Sequence, residues 1–214
     1  MNISREHLEL LSESFRNIDE TTKEIINLEA ILSLPKGTEH FLSDIHGEYE
    51  AFDHILRNGS GVIKEKLKEV FGNRLPKKEL NLLATIIYYP EEKLNLLKKE
   101  FSTAEYKEYQ KILLLRLLEV TQVAARKYTR SKVRKLLPKD FDYIIEELLY
   151  KMQTRDKEDY YEKILENIIE LGAGDKFIIE LSLSIHKLII DHLHIVGDVY
   201  DRGPLPDKIM DRLL

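Results

Sequence analysis

HIVGDVYDRGP, residues 194–204, joins a short β-branched run to a charged loop. The run predicts a buried strand over 194–197 that ends in Gly197-Asp198. A carboxylate at a strand end has a fixed origin, so Asp198 suits a metal-bridging ligand. Gly197 admits close approach of an ion or of neighbouring ligands. Arg202 presents a fork of donors that matches a pair of phosphate oxygens. Asp201 beside it can hold an arginine or orient a histidine. The bland alternative is a surface loop closed by an Asp201–Arg202 salt bridge.

Working outward, SDIHGEYEAF, residues 43–52, has the same character. A strand over 40–44 leads into a turn at Gly47. A helix over 48–57 follows, with Tyr49, Phe52, Ile55 and Leu56 on one face and a stop near Asn58-Gly59. Asp44 and His46 stand two apart on what reads as extended chain, so both side chains are expected on one side, converging on one ion. Carboxylate oxygen with imidazole nitrogen suits a borderline divalent metal such as manganese, iron or zinc. Alone, this motif also fits a strand-to-helix turn with a capping aspartate. Two charged strand ends together share the geometry of a two-metal hydrolase and point to a metallophosphatase.

The rest reads as helix. Apolar residues from Leu8 to Leu32 recur by threes and fours with one gap of seven, and Pro35-Lys36-Gly37 ends that pattern. Residues 60–192 contain no convincing strand. Pro76 and Pro90 suit helix starts, and Ser102 with Glu105 fits a capping box. Three stripes follow: Tyr109 to Tyr128, Phe141 to Met152, and Tyr161 to Ile169, the last ended by Gly172 and Gly174. Such stripes need partners, so the helices are expected to pack as a layer. A helix from Phe177 leads to the second strand, and another begins near Pro206.

Composition narrows the function. The 214 residues are 43% hydrophobic, enough for a core, and carry 33 basic against 38 acidic side chains. The net charge of -5 gives no pull towards nucleic acid. With no cysteine, a thiol-nucleophile phosphatase cannot be built. The longest aliphatic run, Ile112–Leu115, falls far short of the roughly 20 residues of a membrane span. The opening MNISREHLELL lacks a long apolar run and is not read as a secretory signal, so a cytoplasmic protein is expected.

The two motifs together resemble the Asp-X-His and Gly-Asp-X-X-Asp-Arg-Gly signatures of calcineurin-like metallophosphoesterases. Asp44 and Asp198 lie 154 residues apart with helix between them. That long insertion resembles the class III fructose-1,6-bisphosphatases, over the whole chain. The resemblance implies an α/β fold: part of a metallophosphoesterase sandwich, built on a β-α-β core of parallel strands, mostly helical because of a large insertion. Residues 1–59 and 175–214 would belong to the phosphoesterase domain and 60–174 to the insertion.

By the same resemblance, Asp44, His46 and Asp198 are metal ligands, with Asp198 bridging two divalent ions, manganese by family. Asp201 orients a catalytic histidine supplied by a later motif, and Arg202 binds the substrate phosphate. The implied reaction is hydrolysis of fructose 1,6-bisphosphate to fructose 6-phosphate by a metal-activated hydroxide, in gluconeogenesis. The superfamily completes its site with a Gly-Asn-His motif and two later histidines, and none follows Arg202 here. The chain is therefore expected to be a fragment with a half-built site, little activity of its own and an exposed sheet edge. The alternatives are another metallophosphoesterase, either a phosphoprotein phosphatase or a phosphodiesterase, or an inactive helical remnant.

The remaining features read more plainly. Residues 126–135 hold six basic side chains, expected to form a solvated helix end or a site for a nucleotide or phosphometabolite effector. His54, His192 and His194 are expected to be structural. The expected partners are a sugar bisphosphate and, in a homo-oligomer, further copies of the chain, with no nucleic acid and no membrane.

Overall fold

A computed structural model describes residues 4–150 and 157–214. Met152, read as part of a helical stripe, lies outside the described residues. The N-terminal stripe divides into two helices, α1 (Arg5–Ser14) and α2 (Ile18–Leu32). Each has its own cap: Ser4 accepts from His7 N at 3.3 Å and Asn17 from Glu20 N at 2.8 Å. Neither helix has a buried residue.

Strand β1 (Glu39–Ser43) and helix α3 (Tyr49–Asn58) come next. Gly59, left-handed at φ 58°, ends α3 by turning its N–H back to Ile55 O and Leu56 O. The helical block comprises α4 (Val62–Phe71), α5 (Lys77–Tyr88), α6 (Pro90–Glu100), α7 (Thr103–Ala125), α8 (Arg130–Leu136), α9 (Asp142–Leu149), α10 (Glu158–Glu170) and α11 (Gly174–Ile189). Strand β2 (His192–Val196) and helix α12 (Pro206–Leu213) come last.

Helix α7 is the axis of the block. The Ser102–Glu105 capping box forms as the sequence predicts, with Ser102 N donating to Glu105 Oε2 at 2.9 Å. Its buried stripe, Leu113, Leu117, Val120 and Ala124, lies in one core with Phe177, Leu181, Ile185 and Leu188 of α11, the helix it chiefly packs on. Each fully buried leucine or isoleucine contributes about 1.5–3 kcal/mol through burial alone. The helices thus satisfy one another, as their stripes require.

The strands form a two-stranded parallel sheet with Glu39 opposite His192 and Ser43 opposite Val196. Both start one or two residues earlier than the sequence suggests, so His192 and His194 lie within β2. The expectation of a buried strand is corrected: β2 alternates exposed and half-buried residues, because only one face of the pair is covered. On the exposed face Phe41 stacks on His194 with ring centroids 4.5 Å apart. Near the other face, Ile45, Phe52 and Ile209 form a small second core with Leu42 and Ile195 packed on it. That core joins α3 and α12 beneath the strand ends.

Asp191, just before β2, anchors the sheet to the helical block. Its side chain is 3% exposed and accepts from Lys127 and Lys132, each at 2.8 Å, and from Thr38 N at 2.8 Å. Lys127 also donates to Thr38 Oγ1 at 2.9 Å. Although burial pushes the Asp191 carboxyl up, these donors and the Tyr128 hydroxyl hold it well below the usual carboxylate range. The basic stretch is therefore largely engaged: Arg134 pairs with Glu146 at 2.8 Å, and Arg130 lies 4.6 Å from the Tyr150 ring centroid. It is still a solvated helix end, as one of the two expectations has it: all of its basic side chains but Lys127 are exposed, and Arg134 and Lys135 lie in the last turn of α8.

Candidate metal centre

The two motif loops are zipped together by backbone. Beyond the sheet, Asp44 N donates to Val196 O at 3.1 Å, His46 N to Asp198 O at 3.0 Å and Gly47 N to Val199 O at 2.8 Å. Leu205 N returns a bond to Gly47 O at 3.2 Å. This closeness requires glycine. A Cβ on Gly47 would lie 2.9 Å from Gly203 Cα, and one on Gly203 would overlap His46 O and Gly47 C.

Left-handed backbone clusters at the same place. Asp44 (φ 53°), His46 (φ 51°) and Arg202 (φ 68°) are three of the four non-glycine residues with positive φ among the described residues. Each costs about 1–3 kcal/mol, and such strain gathers at functional sites. It also corrects one sequence argument: β1 ends at Ser43, so Asp44 and His46 do not sit on extended chain. Their positions follow from the coiled turn and its zipper.

Three of the five predicted site residues come together. One ligand atom from each of His46, Asp198 and Asp201 lies within 4.8 Å of the others, the spacing that one cation can span. His46 Nδ1 is 2.8 Å from Asp201 Oδ1. A proton on Nδ1 shared with Asp201 leaves the Nε2 lone pair for a metal ion. The bond from His46 holds the Asp201 carboxyl below the ordinary range, aided by the Arg202 charge. One imidazole with carboxylates is a donor set for a borderline divalent ion, so these residues fit a metal.

Asp44 and Arg202 stand beside that trio. Asp44 Oδ1 accepts from Asp198 N at 3.4 Å and lies where a Cβ on Gly197 would collide with it. Arg202, with its side chain 75% exposed, is 3.0 Å from Asp201 Oδ2, so the Asp-Arg pair of the bland alternative is present within the cluster. His54 bonds Tyr89 Oη at 2.6 Å and stacks on its ring, a structural role as expected.

Sequence reading passed over the close-approach role of Gly203 and the charges behind α3. The i, i+4 spacing of Asp53 and Arg57 was the available signal for the latter.

The family model for Firmicute fructose-1,6-bisphosphatase matches residues 6–214. The protein named fructose-1,6-bisphosphatase class 3 of Listeria monocytogenes serotype 4b (strain CLIP80459) is 57% identical over 213 residues, covering 99% of this chain and 32% of that protein. Those of Alkaliphilus metalliredigens and Clostridioides difficile are 59% and 51% identical, covering 97% and 100% of this chain and 31% and 32% of theirs. The chain thus spans about a third of the length of these curated relatives. No solved structure matches it significantly. With the family model matched almost from end to end and both motif loops in place, the chain belongs to the Firmicute fructose-1,6-bisphosphatase family.

Proposed function

We propose that the two zipped loops supply one half of a dinuclear centre that hydrolyses fructose 1,6-bisphosphate to fructose 6-phosphate in gluconeogenesis. The observation that carries this is the convergence of His46, Asp198 and Asp201 within 4.8 Å in a chain of this family. Asp44, His46 and Asp198 would hold the ions, manganese by resemblance to the family. Asp201 orients an imidazole, and the exposed Arg202 fork receives the phosphate. Divalent ions held by these residues would acidify water and offset the charge that develops on the phosphate oxygens. The loops would complete their site within a metallophosphoesterase sandwich, of which the parallel β1–β2 pair is the part in hand, in a cytoplasmic enzyme.

The test joins this chain to the rest of a relative. The 214 residues replace the matching segment of the Listeria protein, and phosphate release from fructose 1,6-bisphosphate is followed with manganese present. Activity that disappears with Asp198→Asn supports the reading. A folded chimaera that releases phosphate from other esters only, or equally well with Asp198→Asn, overturns it.

A further inference from the structure

Charge is also buried where the helical block meets the helices that follow the two loops. Asp53 on α3 has a side chain 12% exposed. Its Oδ2 accepts from Arg57 Nε, one turn later, at 2.5 Å. Its Oδ1 has no hydrogen bond and lies 3.2 Å from Arg212 Nε on α12, so charge rather than a shared proton holds that helix. Arg57 reaches on to α5, where Nη1 donates to Tyr88 O at 3.1 Å.

A nearly buried carboxylate is costly unless paired, and one guanidinium would neutralise it. The second cation, from a different helix, therefore has a geometric consequence. Helix α3 starts two residues after Gly47 and α12 three residues after Gly203. Tying α3 to α12 through one carboxylate adds a charged link to their shared apolar core of Phe52 and Ile209 and so helps to fix the distance between the loops those helices continue. We propose that Asp53 is a positioning residue that keeps loop 44–47 zipped to loop 197–203. Its functional meaning rests on the metal-centre reading above, whereas its structural content does not.

The test is hydrogen exchange on the 214-residue chain, without metal. Asp53→Asn keeps the volume and removes the charge. Protection of the His46 and Gly47 amides, which bond across the zipper, is expected to fall about tenfold, while the Leu117 and Ile185 amides in the α7–α11 core hold theirs. Arg212→Met, at a side chain 45% exposed, spares the fold and should show the same local fall. The double variant should add nothing further. Unchanged protection at His46 and Gly47, or an equal loss at Leu117 and Ile185, overturns the proposal. Where Asp53→Asn fails to fold, Arg212→Met decides by the same two criteria. Because no metal is present, failure here leaves the metal-centre reading standing, and failure of metal binding leaves this result readable.

Discussion

His46 Nδ1 and Asp201 Oδ1, 155 residues apart in the chain, lie 2.8 Å from each other. The contact links the two loops through side chains where the zipper links them through backbone. A ligand imidazole is oriented by the partner of its other nitrogen, and removing such partners costs about 10- to 100-fold in metal affinity. Asp201→Asn should weaken manganese binding by that factor while far-ultraviolet circular dichroism stays unchanged. Wild-type affinity in that variant would show that Asp201 neither ligates nor orients.

Gly203 and Gly172 give a controlled comparison. A methyl group on Gly203 overlaps His46 O and Gly47 C, both backbone, whereas one on Gly172 meets nothing within 4 Å. Gly203→Ala should cost about 2–4 kcal/mol in urea denaturation, because two main chains must separate. Gly172→Ala should cost about 1 kcal/mol, from its positive φ alone. Equal costs would mean the loops part without penalty.

The anchor at Asp191 should be strongly asymmetric. Asp191→Asn leaves Lys127, 20% exposed, without its counter-charge, and a loss of about 3 kcal/mol is expected in chemical denaturation. Lys132 is 50% exposed, so Lys132→Met should cost under about 1 kcal/mol. A larger loss from Lys132→Met than from Asp191→Asn would contradict the buried role of the carboxylate.

His186 makes stability depend on pH. Burial first, then the charges of Arg57 and Arg212, opposed by Ile87 O and Asp53, push its imidazole down to about 4 from 6.5. The folded pKa lies below the unfolded one, so the unfolded chain takes the proton first as pH falls. This contribution is complete above about pH 6.5 and lost towards pH 4, amounting to about 3 kcal/mol at most. Buried His40, also lowered, adds with the same sign. Thermal melts of His186→Gln between pH 7 and 4.5 should slope less than wild type. Identical slopes would remove His186 from the linkage.

The parts that were legible in the sequence depend on local chemistry. Gly59 at the end of α3, the Ser102–Glu105 box, Pro90 opening α6 and Pro206 opening α12 each act over a few residues, and each appears where the pattern places it. The site's residue types were legible for the same reason. The left-handed turns at Asp44 and His46 were not, because aspartate and histidine are enriched at positive φ but adopt it in only a small minority of cases. Nor were the partners of the basic stretch: Lys127 and Lys132 find Asp191 about 60 residues away, and no spacing rule connects them. The apolar residues of α1 and α2 follow the helical spacing the sequence shows but are mostly exposed, since periodicity reports a face without naming what covers it.

Manganese binding to the 214-residue chain, followed by the electron paramagnetic resonance of free ion, tests the central claim most directly. The convergence of His46, Asp198 and Asp201 predicts one saturable ion per chain, lost in Asp198→Asn and in His46→Asn. No saturable binding, or binding that survives Asp198→Asn unchanged, would contradict the metal centre.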